Sequence, residues 1–168
     1  ETFFENRETP LTIYALEETI EVLKKHSFND VIWPDFTKIK LLRKDAFSLI
    51  LKPIKLDEII KIHNYSIKAI KANHISGACG FVIKKNHQGF VISGDTHINP
   101  HIWEEINNDE EIRSLIIECS YPDKLQELAK LTKHLTPELI ANELEKLTRK
   151  NLSVFYYHLK PSYNKELL

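Results

Sequence analysis

Apolar and polar residues alternate from Leu11 to Leu16 (LTIYAL), and this period of two predicts a β-strand. The period changes at once. Ile20 and Leu23 follow Leu16 at helical spacing, so Glu17–His26 reads as a helix, opened by acidic Glu17 and Glu18 and closed by basic Lys24 and Lys25. Phe28 to Phe36 (FNDVIWPDF) is aromatic and broken by proline, which predicts a packed loop over an edge or pocket; Trp33, Phe36 and the later Trp103 are expected in core or pocket wall. Ala46 to Leu51 predicts a short strand that Pro53 ends or marks as an edge. Between Leu56 and Asn73, two isoleucine-rich runs flank the turn-like His63-Asn64-Tyr65, a β-hairpin ending at His74.

A second hairpin joins Phe81-Val82-Ile83 to Phe90-Val91-Ile92 through the polar stretch Lys84–Gly89. Asn99-Pro100 supplies a cap and first residue for a helix with Ile102, Trp103 and Ile106 on its apolar face. Leu115-Ile116-Ile117 is a continuous apolar run, as in a strand covered on both faces. Lys124 to Lys133 reads as helix from Leu125, Leu128 and Ala129. Thr136-Pro137 opens another, with Ile140, Leu144 and Leu147 along its stripe. Val154 to Tyr157 is a last strand ending at His158, where continued alternation would set His158 on the face of Tyr156. The order is β-α, a run of β, then α-β-α-α-β, an α/β layered fold with a substantial antiparallel part.

Three of these strands deliver a metal-binding type of side chain at or near their ends. Phe90-Val91-Ile92 stops at Ser93-Gly94-Asp95-Thr96, and the other two lead to His74 and His158. Chemistry gathers where the strands of open α/β sheets end. Imidazole nitrogen and carboxylate oxygen suit zinc, manganese or iron, and a carboxylate can bridge two ions. Each residue alone is better explained by turn or loop duty; their order and type together make a ligand set.

Bulk composition narrows the class. A length of 168 residues predicts one domain, 42% apolar and 28% charged residues fit a globular chain, and no apolar run nears the roughly 18–20 residues of a membrane span. A net charge of −1 gives no basic surface for nucleic acid. Cys79 and Cys119 belong to no C-x-x-C pair and read as small buried side chains, which favours the cytoplasm, with the periplasm also open. The chain starts at Glu1 and holds no methionine, which suggests a piece of a longer protein.

Several runs together resemble one family. Ile92-Ser93-Gly94-Asp95-Thr96, Asn99-Pro100, Ile102-Trp103-Glu104 and Leu115-Ile116-Ile117-Glu118-Cys119-Ser120-Tyr121-Pro122 are similar to the class II cyclic-nucleotide phosphodiesterases of the metallo-β-lactamase superfamily. So are Leu128-Ala129, His134-Leu135-Thr136-Pro137, Glu143-Leu144, His158-Leu159-Lys160-Pro161 with Tyr163, and the early Tyr14-Ala15-Leu16 and Phe28–Pro34. The resemblance implies the C-terminal part of a metallo-β-lactamase-like αβ/βα four-layer sandwich, in one incomplete domain over residues 1–168. It implies that His74 and His158 are metal ligands, that Asp95 bridges two divalent ions (zinc foremost), and that His134 assists the leaving oxygen. Glu118 and Thr96 would orient these groups from behind.

The implied reaction is hydrolysis of a 3′,5′-cyclic nucleotide, cyclic AMP foremost, to the 5′-monophosphate, by a protein that can pair as a homodimer. Another phosphodiesterase of the same fold acting on RNA 3′ ends, or a non-catalytic fragment, is the competing reading. The chain departs from the family at three positions: His97 and Lys133 stand where glycine is usual, and Tyr157 where threonine is usual. No H-x-H-x-D-H run occurs, and its expected place is N-terminal to Glu1.

Overall fold

The computed structural model describes residues 7–167. The first six residues of the expected polar arm, Glu1–Pro10, lie outside them. The described chain divides between Lys55 and Leu56 into two compact units.

In the first unit, β1 (Leu11–Leu16) runs directly into α1 (Glu17–His26), which buries Ile20. β2 (Leu49–Ile54) pairs parallel with β1, Leu11 opposite Leu49 and Leu16 opposite Ile54. This strand starts three residues later than expected and continues through Pro53. A strand with a single neighbour leaves alternate backbone N–H groups unclaimed, so the residue without one is tolerated. Phe36 is buried and meets Phe28 edge to face, with ring centroids 6.0 Å apart. The rest of that loop is not packed as expected: Val31, Ile32 and Trp33 are exposed, Trp33 by 54%. Polar side chains hold the loop instead. Asn29 Oδ1 accepts the N–H groups of Val31 and Ile32, and Asp30 Oδ1 that of Asp35.

The second unit is built on a six-stranded sheet in the order β3-β4-β5-β6-β7-β8. β3 (Ile59–Ile62) and β4 (Tyr65–Lys71) form the expected hairpin, closed by His63-Asn64. β5 (Cys79–Lys85) and β6 (Gln88–Ile92) form the next, closed by only Asn86-His87. Both of those residues have positive φ, the requirement of a type I′ turn, so the strands extend further than the apolar triplets suggested. β7 (Ile112–Glu118) then lies parallel to β6, and β8 (Ser153–Tyr157) parallel to β7.

Helices make these two crossovers, as parallel strands demand. α2 (Pro100–Asn108) is capped by Asn99, whose side chain accepts the His101 N–H, and it buries Ile102, Trp103 and Ile106. α3 (Gln126–Thr132) is shorter than expected: Asp123–Leu125 form a 3₁₀ turn, and of the helix only Ala129 is buried. α4 (Pro137–Leu144) is capped by Thr136. α5 (Asn164–Leu167) closes the described chain. Val91, Leu115 and Ile117 from the sheet, with Ile102, Trp103, Ile106, Leu135 and Ile140, form the core. Each fully buried side chain of this size contributes about 1.5–3 kcal/mol. Trp103 donates its indole N–H to buried Glu143 at 2.6 Å.

Strand register decides where the chemistry falls. Lys71 lies opposite Cys79, Phe81 opposite Ile92, Ile92 beside Ile116 and Glu118 beside Tyr157. The chain therefore brings His74, Asp95, Glu118 and His158 out at one edge of the sheet.

Candidate metal centre

Asp95 reaches that edge because of Gly94. Its φ is +62°, and a Cβ there would sit 2.5 Å from the carbonyl oxygen of Cys79. Both the left-handed backbone and the approach to β5 require glycine. Gly94→Ala is expected to cost about 3 kcal/mol, from left-handed strain plus overpacking against backbone. A denaturation midpoint equal to that of the parent would show that the turn has another solution.

Around Asp95 the described residues bring together His74 and His134, with one candidate donor atom from each of the three within 4.8 Å of one another. His158 joins them, its Nε2 3.5 Å from Asp95 Oδ2. That is close to the roughly 3.3 Å between two donors on one tetrahedral ion with bonds near 2 Å. The His134 ring stands between the other two imidazoles, its centroid 5.0 Å from that of His74 and 5.3 Å from that of His158. His158 has φ +61°, so it leaves strand geometry and does not continue the alternation of Tyr156 and Tyr157.

Behind the imidazoles lies Glu118, fully buried at the end of β7. One carboxylate oxygen pairs with His134 Nδ1 at 2.7 Å and accepts the Thr96 N–H at 3.0 Å. The other accepts the Ser120 hydroxyl at 2.8 Å and the Leu135 N–H at 3.3 Å. Ser120 also lies 3.2 Å from His134 Nδ1. With Nδ1 held this way, Nε2 is the nitrogen of His134 left for chemistry. Thr96 links the same loops: its hydroxyl accepts the Asn73 N–H and donates to the His97 carbonyl, both at 2.9 Å.

Two further contacts cross between loops. His97 Nδ1 donates to the His134 carbonyl at 2.8 Å. His74 Nδ1 donates to the Lys133 carbonyl at 3.2 Å, while Lys133 Nζ donates to the His74 carbonyl at 2.8 Å. Burial pushes the Tyr157 phenol's pKa up, and the Asp95 and Glu118 charges add to this while Ser93 opposes it.

The donor set is chemically coherent: three imidazoles and a carboxylate at a strand-end edge suit a divalent cation. All six residues expected at the site from the sequence lie here. Ser120, His97 and Lys133 were missed. The signals for Ser120 are its place two residues after the strand-end acid and in the run that resembles the family.

Comparison with known proteins bears on the fold and family. The family model for class-II cAMP phosphodiesterases matches residues 2–162. The chain belongs to this family. A relative of the class-II chain, a probable 3′,5′-cyclic-nucleotide phosphodiesterase of Yersinia pestis, is 27% identical over 90% of it and 50% of the relative. The class-II chain spans half or somewhat less of the curated relatives it matches. Among solved structures, the metallo-β-lactamase fold protein YhfI of Bacillus subtilis aligns with a TM-score of 0.68 at 15% identity, covering 92% of this chain and 54% of that one. Zn²⁺-bound PqqB of Methylobacterium extorquens aligns with a TM-score of 0.61 at 14% identity, covering 94% and 53%. The class-II chain thus has the expected metallo-β-lactamase fold. Among its described residues no helix is long and apolar enough to cross a membrane.

Proposed function

We propose that this chain carries part of the active centre of a metal-dependent 3′,5′-cyclic-nucleotide phosphodiesterase, with His74, Asp95 and His158 as metal ligands and His134 as the group serving the leaving oxygen. The observation that carries the reading is the convergence of these four side chains on one sheet edge, in a chain of the class-II family. The two compact units are read as parts of one metallo-β-lactamase-like domain. The relatives' names supply the substrate class, and zinc, as in the structural relative, is the first ion to test.

Divalent ions held here would supply a water of lowered pKa and stabilise charge on the phosphate. The chain's own residues do the rest. Hydrolysis joins a water oxygen to phosphorus and breaks the bond to the 3′-oxygen, which leaves with a proton. His134 has Nδ1 held by Glu118, so Nε2 faces the donor cluster and can hold a proton for that oxygen. The contacts of Glu118 to Thr96 and Leu135 hold the carboxylate in place, and its bond to Nδ1 keeps the His134 ring from turning away. Asp95 stands on a tight glycine turn with His158 Nε2 3.5 Å away, which suits a ligand.

The test is metal content and turnover of the intact protein. Chelation is expected to abolish conversion of cyclic AMP to AMP, and zinc or manganese to restore it. Pre-tRNA 3′ trailer cleavage exceeding cyclic AMP turnover would overturn the substrate. Full turnover in a protein stripped of metal would overturn the mechanism.

A further inference from the structure

The loops that carry the donor side chains are far apart in sequence, and contacts through Lys133 and His97 cross between them. The clearest tie is at Lys133. This residue ends α3 in the left-handed conformation, φ +57° and ψ +50°, with its N–H returned to the last carbonyls of the helix. Such a helix end favours glycine, because a Cβ is strained there. A lysine at this position therefore carries a cost that its side chain or backbone must offset.

What Lys133 does is visible on both sides of His74. Its carbonyl, aimed by the left-handed turn, accepts the Nδ1 proton of the His74 ring, and its ammonium donates to the His74 backbone carbonyl. One residue thus grips the imidazole and the main chain of another 59 positions earlier. Fixing Nδ1 as the protonated nitrogen leaves the Nε2 lone pair as the ligand atom. His97 makes the corresponding tie on the other side, from the Asp95 loop to the His134 carbonyl.

We infer that Lys133 is a positioning residue that clamps His74 through its ammonium. This rests on the reading of His74 as a metal ligand. It goes beyond that reading by assigning work to an exposed cation whose ammonium bonds the His74 main chain.

Lys133→Gly separates this role from a merely structural one. Glycine keeps the turn and the carbonyl contact, relieves the strained backbone and removes the side chain with its ammonium. In the full protein, thermal stability is expected to stay level or rise while zinc affinity, measured against a chromophoric chelator, falls about fivefold, less than the roughly tenfold or more for losing the ring's own outer partner, which is kept. Lys133→Arg is expected to regain most of that affinity. In metal-free protein, exchange of the Asn73 and Ala78 amides, which flank His74 and bond Thr96 Oγ1 and the Ile75 carbonyl, is expected to quicken at least about tenfold in Lys133→Gly, by local opening.

Zinc affinity within twofold of the parent, or unchanged exchange at Asn73 and Ala78, would overturn the clamp. If the parent itself binds no zinc, the metal reading fails instead, and the exchange measurement alone then decides whether Lys133 holds the His74 segment.

Discussion

Replacing Asp95 with alanine is expected to remove cyclic-nucleotide turnover and lower metal affinity by more than about a hundredfold, since a ligand should cost more than the outer partners behind it. The fold should survive. The Asp95 side chain is 39% exposed and its near neighbour His158 lies at 3.5 Å, so the unfolding free energy should change by no more than about 1 kcal/mol. The two measurements are needed together. Lost activity in a folded, metal-poor protein supports the ligand assignment, whereas a variant that keeps its metal and its turnover defeats it.

The opposite pattern is expected at Glu118. Alanine there strips the acceptor from two backbone N–H groups, a serine hydroxyl and an imidazole, all buried around it. Breaking a buried charged network from one side costs about 3–5 kcal/mol. For a chain of this size that is roughly 10 °C or more in melting temperature. Glutamine is the sharper probe. Thr96 donates to one carboxylate oxygen and Leu135 to the other, so either orientation of the amide sets an NH₂ group against a backbone N–H. A loss of about 1–3 kcal/mol follows. A glutamine variant as stable as the parent would mean that Glu118 is not the acceptor of both bonds.

The contrast between Asp95 and Glu118 shows what could be read from the chain alone. Both acids end an apolar run, and the sequence placed both at strand termini. Local signals were sufficient for this: alternation, the glycine before Asp95, and the Asn99-Pro100 and Thr136-Pro137 helix starts all act within a few residues. The load on Glu118 was not legible, because its partners at Thr96, Ser120, His134 and Leu135 meet only through strand register and a helix crossover. The clamp at Lys133 was hidden for the same reason, and the lysine appeared only as a departure from glycine. Trp33 misled in the other direction. Aromatic residues usually pack, but Asn29 and Asp30 hold that loop through its backbone and leave the indole outside. At Pro53, of the two expectations, the edge one holds: the strand runs on with one neighbour, where the missing N–H costs little.

The mixed sheet sets an order of assembly for the donors. His74 and Asp95 follow β4 and β6, both strands of local hairpins whose loops close at small entropic cost. His134 lies in the long crossover between β7 and β8, and His158 follows β8, whose register puts Tyr157 beside Glu118 only after that excursion is closed. Non-local pairings of this kind are the slow ones. On the proposed ligand set, a cation would meet His74, Asp95 and His158 together only after the final strand has docked.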